Sequence, residues 1–427
     1  MLDAAVHTHR LRRLAALWGA AFAAACAREP APIPSALDAA ASAYAAAPEN
    51  EKVLAANHIA LDLMHQGHVA EARDYLLDAS AIIEAVFSED RYAEQAASLW
   101  RGESRKIFRG EPHERATTYY HLGICFMMLG DYQNARACFR SAAFQDSFAA
   151  EDQDKSDFYL MHYLETVADA QARGNGGDGA QLAGRIGDRR DALVAPDPRH
   201  DLLLICETGS HPIKLPEGQY GELLAFSDAG DPVWAIEATF DGERYYVYDG
   251  ANLFYQAVTR GGRFVDHINR RKATYKKSAY VSANVAWVVA IACFEAAALE
   301  YEEESRRQAA ADRRGGAHQS SNVDGAQALL VVGAVAALVG VTFHVIGELI
   351  TPNADLRTLQ TAPNRIYVRS LRAPSGAREL TLRYYGQHLN EVKSARTISL
   401  PPQRDGLTVL YVTERGEIAP WTLKDSR

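Results

Sequence analysis

The sequence predicts an α+β protein: repeated α-helical hairpins, then a small β-sheet packed on long apolar helices, then a C-terminal antiparallel β-sandwich module. Three observations carry this. Small and large apolar residues recur at helical spacing between residues 51 and 172. From Asp201 the apolar period becomes that of strands, with Gly, Pro and Asp-Gly between the runs. Two stretches, 285–294 and 328–341, are too uniformly apolar for half-exposed strands. The boundaries that follow are a signal segment at 1–25, the helical domain at 26–172, a linker at 173–199, the sheet with its apolar helical pair at 200–350, and the terminal β module at 351–427.

The helical domain is organised around residues 114–148. Tyr119, Leu122, Gly123 and Phe126 share one helical face, Gly130 and Asp131 form a turn, and Ala135, Phe139 and Ala142 line the face of the second helix. Gly123 stands where the helices cross, since only a very small residue lets two backbones approach closely. The same order recurs upstream at Ala56, Ile59, Ala60, Leu63, Gly67, Ala72, Leu76 and Ala79. A hairpin repeated in this way is tetratricopeptide-like. Such arrays bind partners on a concave face. Residues 87–112 exceed a tetratricopeptide turn, so a strictly regular solenoid is not expected, and 156–172 supplies a capping helix.

The first residues read as an export segment. His7, His9, Arg10, Arg12 and Arg13 give a basic start, and 14–25 is apolar and ends in small residues before Cys26. The run is too short to span a bilayer. Ala23-Ala24-Ala25-Cys26 resembles a lipoprotein processing site with Cys26 as the lipidated residue, although Ala23 stands where Leu is usual, so simple cleavage near Ala25 stays open. Pro30, Pro32 and Pro34 then form an extended tether.

Of 427 residues, 48% are hydrophobic and 23% charged, enough to bury two or three cores. The net charge of -9 argues against nucleic acid as the main partner. Cys125, Cys138, Cys206 and Cys293 have neither metal-ligand spacing nor the density of a disulfide framework.

Beyond the glycine-rich break at 174–179, strands are expected at 202–206, 223–226, 233–240 and 245–248, with a loop shaped by Gly209, Pro212, Pro216 and Gly218 after the first. The cover for this sheet is expected to be the helix over 276–314. Residues 328–341 are fourteen apolar residues, short of a membrane span unless extended to Ile350. Gly333, Gly340 and Gly347 put a small stripe on one side, which favours pairing with 285–294 over a membrane span. Strands at 366–371, 379–385, 395–400 and 407–412 make the terminal module.

The segments FRGEPHERATTYYHLGICFMMLGDYQNARACFRSAAFQDSFAAE, DLLLICETGSHPIKLPEG and NADLRTLQTAPNRIYVRSLRAPSGARELTLRYYG, together with Cys26, resemble a family of bacterial tetratricopeptide-containing lipoproteins. The resemblance implies an envelope-exposed, lipid-anchored protein without catalytic residues.

Little in the residues points to chemistry. The loop at 174–179 lacks the Lys-Ser/Thr of a phosphate loop. His58, His65 and His68 lie near one another without a fourth metal ligand. Glu207, His211 and Lys214 form a polar cluster in the Pro-Gly loop, the one candidate site. The basic patch is Asn269, Arg270, Arg271 and Lys272 with Lys276 and Lys277. The expected function is a non-catalytic scaffold of the cell envelope, without cofactor or metal. It is exported and membrane-anchored, with the outer membrane facing the periplasm as the expected site, and its partner is another envelope protein. The alternatives are an integral membrane subunit anchored by 328–350 and a cell-wall-processing hydrolase that uses the sheet at 200–262 with Glu207 or His211 as acid/base.

Overall fold

The computed structural model describes residues 35–87, 106–108, 110–146, 157–173, 193, 199–230, 233–240, 242–259, 264–313, 323–350, 353–373, 379–387, 391–400, 407–413 and 416–418. The expected signal segment, Cys26, the proline tether and nearly all of the linker lie outside them. Residues 1–45 and 46–427 form two units. The first contributes helix α1 (Ala36–Ala46), whose start is capped by Ser35 Oγ accepting from the Asp38 N–H at 3.1 Å.

The larger unit is α+β. Its helices α2 (Lys52–His65), α3 (Val69–Phe87), α4 (Pro112–Met128), α5 (Tyr132–Asp146) and α6 (Tyr159–Arg173) each pack on the next. A shift of 63 residues superposes the first hairpin on the second, Gly67 on Gly130 and Ala60 on Gly123. The helix ends repeat too. His68 N–H bonds to Leu63 O and Asp131 N–H to Phe126 O, each at 2.9 Å, while Gly67 and Gly130 adopt φ of 82° and 79°. This left-handed cap satisfies the last carbonyls of α2 and α4 at little cost only because both positions are Gly. Ala56, Ala60, Leu63, Ala72, Leu76, Tyr119, Leu122, Phe126, Ala135, Phe139 and Ala142 are all buried. A Cβ on Gly123 would lie 2.6 Å from the Phe139 ring, so the crossing expected there is made.

Strands β1 (Leu202–Thr208), β4 (Ala235–Phe240), β5 (Glu243–Asn252), β6 (Arg365–Leu371), β7 (Glu379–Tyr385), β8 (Val392–Ser399), β9 (Thr408–Thr413) and β10 (Gly416–Ile418) form one mixed sheet, ordered β10-β9-β1-β6-β5-β4-β7-β8. The tail therefore does not stand as a separate sandwich. Every residue of β1 is buried, and a strand buried on both faces needs a partner at each edge. Both partners come from the tail, β6 antiparallel and β9 parallel. The sheet curls so that Arg396 on β8 donates to Thr413 O on β9 at 3.1 Å, and residues of β1, β4, β7, β8 and β9 share one core.

Two further expectations are corrected. The stretch 213–217, read as loop, is strand β2 (Ile213–Glu217), which pairs with β3 (Leu223–Ser227) in a separate ribbon; Pro216 is tolerated because the ribbon leaves one edge unpaired. The apolar helices do not cover the main sheet. One face of the sheet packs within the curl, and at β1 and β9 the other receives α4, which is buried along its whole length. The inner surface of that helix, expected to be open to partners, is thus occupied by the protein's own sheet.

After a short helix α7 (Leu253–Thr259), the chain forms α8 (Phe264–Arg313) and α9 (Val323–Leu349), which pair along their length. Gly347, Gly340 and Gly333 meet Tyr280, Trp287 and Phe294 in turn, so the helices run antiparallel. Beside these three aromatic residues the α8 seam is lined by Ala279, Ala283, Ala286, Ala290 and Ala297, all buried. Large residues point outward: Val288 is 66% exposed, Leu299 67%, Val331 64% and Leu338 67%. The expected pairing is present, but the pair is not enclosed by the other described residues. Two stretches, Lys272–Ala311 and Gly325–Leu349, are long and apolar enough to cross a membrane, with mean hydropathy 1.7 and 2.5 and only 22% and 11% of their most apolar windows buried.

Candidate functional site

Helix α4 begins with Pro112 at its first turn, and the Glu114 carboxylate reaches back to the Glu111 N–H at 2.7 Å. This places the carboxylate at a helix N-terminus, where the helix dipole favours negative charge. Lys214, the inward residue of β2, donates to the same oxygen at 2.7 Å, and both side chains are almost fully buried. The other oxygen accepts from the Leu359 N–H at 2.9 Å and from Thr358 Oγ1 at 3.3 Å, and His211 Nε2 lies 3.5 Å from it. Lys214 also donates to Arg357 O at 2.6 Å. The Arg357 guanidinium in turn caps Asn50 O and Lys106 O and lies over the Phe108 ring.

Glu114 therefore fastens three parts of the chain together: helix α4, the β2–β3 ribbon and the extended segment 353–364 that joins α9 to β6. Burial by itself disfavours the charged form of Glu114. The Lys214 ammonium and the His211 and His113 rings outweigh it and hold the carboxyl well below its usual range. His113, Glu114 and His211 bring potential metal-ligating atoms within 4.8 Å of one another. This donor set does not suit a cation, because the carboxylate is already neutralised by an ammonium and engaged by backbone and hydroxyl donors.

Glu207 belongs to a different cluster. It leaves β1 on the face opposite Cys206, and its Oε1 lies 3.3 Å from His121 Nε2 on α4. The rings of Tyr120 and Tyr411 flank His121, and burial first, then the Glu207 carboxylate, pushes both phenols well above the usual tyrosine value. A cavity of about 180 Å³ opens beside Glu207, lined also by Ser210, Thr361 and Thr413. His65 bonds the hydroxyl of Thr413, one of these lining residues, at 2.7 Å.

The expected loop site is thus split. His211 and Lys214 converge on Glu114, while Glu207 joins His121 at the helix–sheet contact. Glu114 and His121 were missed because both sit within the repeat, where they read as ordinary helix residues. The Pro112 start and the offset of three from Glu111 were the available signal for Glu114. His58 pairs with the neighbouring Asp62 and His68 with Glu71, so the three histidines of the first hairpin do not converge. Cys125 and Cys138 are free thiols that burial pushes upward, Cys138 to about 12. In the Glu114 cluster the Thr358 hydroxyl lies 2.8 Å from His211 Nε2 and also donates to Glu114, so hydroxyl, imidazole and carboxylate are in contact there.

Compared with family models, curated proteins and solved structures, the chain matches none of them.

Proposed function

We propose that the protein is a non-catalytic scaffold of the cell envelope, held in a bilayer by the α8–α9 hairpin, with its helical-repeat and sheet body at the membrane surface. The observation that carries this is the inverted distribution of side chains in the hairpin. In water, a helix pair gains stability by hiding large apolar residues in its seam. Here the seam is Ala on α8 and Gly on α9, with Tyr280, Trp287 and Phe294 lying over those glycines, and Val, Leu and Ile face outward. Lipid as solvent reverses the preference, because small residues allow close backbone packing and large ones are at no disadvantage against hydrocarbon. The 25 residues of Gly325–Leu349 give roughly 37 Å of helix, enough for a hydrocarbon core of about 30 Å with some tilt. Lys276, between the Tyr220 and Tyr280 rings, suits the interfacial level at the base of the hairpin.

We read α2–α3 and α4–α5 as tetratricopeptide-type hairpins, a reading supported by their matching small-large crossings and glycine caps. With the inner surface of α4 covered, partner proteins would dock on outward surfaces such as those of α3 and α5, where Leu77 is 41% and Phe144 61% exposed. A lipid on Cys26 would be a second attachment. The full chain is expected to stay in the membrane pellet after alkaline carbonate extraction, both as wild type and as Cys26→Ala; release of the Cys26→Ala form would overturn the hairpin anchor. Radiolabelled palmitate should enter wild type and not Cys26→Ala, and equal labelling of the two would remove the lipoprotein part of the reading.

A further inference from the structure

Resting on the membrane reading above, a second seam on α8 identifies what lies beside the hairpin. Asn284, Val288, Ile291, Glu295 and Ala298 recur at alternating spacings of four and three, the pattern of a helix–helix contact. All five are exposed, Val288 and Ile291 at 66% and 54%. Ala286 and Ala290, which face α9, lie two positions away from Val288, about 200° around the helix. Measured from Ala279, Ala283, Ala286, Ala290 and Ala297, the five positions together centre about 130° around the helix, so the stripe runs along a flank of α8 that α9 does not cover.

The stripe is polar where lipid would require it to be apolar. Asn284 and Glu295 are eleven residues apart, which returns them to nearly the same angular position. An amide and an ionisable group facing hydrocarbon are costly, and such groups in membrane helices are as a rule covered by another helix. We propose that the cover is a second copy of this chain, with the two α8 helices side by side and parallel about a two-fold axis along the membrane normal.

Three features favour a second copy. An amide carries both donor and acceptor, so Asn284 is complementary to its own symmetry mate, and a single polar Asn in an apolar seam sets register and partner number. β-Branched Val288 and Ile291 fill the seam between the polar positions. The same contact takes both Glu295 side chains out of hydrocarbon. An isologous contact of this kind closes on itself as a dimer. It also leaves the soluble bodies of both copies on the same side of the membrane.

The test is oxidative cross-linking of the full chain in membranes, with Val288→Cys and Ile291→Cys against Val335→Cys on the outer face of α9; wild type gives the background from its own thiols. Disulfide-linked dimer is expected at positions 288 and 291 at least about fivefold above position 335. Asn284→Ala should weaken association about tenfold, which is about 1.4 kcal/mol, while Glu295→Gln, whose amide carries both donor and acceptor toward its own mate, should retain it. Cross-linking that is absent or equal at all three positions, in protein that still resists carbonate, would overturn the dimer and leave the anchor standing. Release by carbonate would overturn both.

Discussion

Lys214→Met is expected to destabilise the protein by about 3–5 kcal/mol in chemical unfolding of the detergent-solubilised full chain, the usual cost of removing one partner from a buried ion pair. The loss comes mainly from what remains. Glu114 would keep its charge at a site almost closed to water, with only backbone, hydroxyl and imidazole groups around it. Removing both charges, as in Glu114→Leu with Lys214→Met, should recover much of the loss, because an apolar pair of similar volume avoids the desolvation penalty. A double variant as unstable as the single one would mean that Glu114 acts chiefly through its hydrogen bonds to Glu111 and Leu359.

The same carboxylate sets an acid limit. Its folded-state pKa lies well below the ordinary value of 4.5, so as pH falls the unfolded chain takes up this proton first. The stabilisation is complete above the unfolded value and drains away as pH drops toward the folded one, so it should fade below about pH 5. Glu114→Gln should flatten the fall in unfolding midpoint across that window. A slope identical to wild type would assign the acid sensitivity to other carboxylates.

Gly123→Ala should cost about 2 kcal/mol, although Ala is the better helix former by about 1 kcal/mol. The clash wins because the added Cβ would lie 2.6 Å and 2.8 Å from two ring carbons of Phe139, a side chain with no exposed surface into which it could swing. The first hairpin contains the remedy. Its equivalent positions are Ala60 and Leu76, both buried, so a slightly larger crossing residue is matched by a smaller partner. Phe139→Leu alone leaves a small cavity and should cost about 1–2 kcal/mol. The double variant Gly123→Ala with Phe139→Leu copies the upstream pair, and should be more stable than the sum of the single effects by about 2 kcal/mol. Additive costs would show that the two hairpins cross in different ways despite their matching sequence.

These two predictions mark different degrees of legibility. The hairpin crossing was readable because its contacts are local: Gly123 and Phe139 lie sixteen positions apart on adjacent helices, and the spacing of small and large residues determines which faces meet. The glycine turns were readable for the same reason, and the pairing of the two apolar helices from the glycine stripe on one of them. The Glu114–Lys214 pair joins residues one hundred positions apart, and no periodicity relates a helix start to an inward residue of a distant ribbon. Lys214 and His211 drew notice as polar residues in a loop, but the partner that gives them meaning could be supplied only by the tertiary fold.

What the sequence by itself determined is the α+β composition, the repeated hairpins with their turns at Gly67 and Gly130, most of the strands, and an apolar helix pair with a glycine stripe. Periodicity and turn chemistry act over a few residues and need no knowledge of the rest of the chain. The tertiary structure decided which surfaces those elements present. It drew β6 and β9 from the tail to the two edges of β1, because a strand apolar on both faces must be paired on both sides. It spent the inner surface of α4 on the sheet and left the hairpin's large apolar residues facing outward. Burial is a property of the whole packed chain, so the same apolar run reads alike whether it ends in a protein core or in lipid.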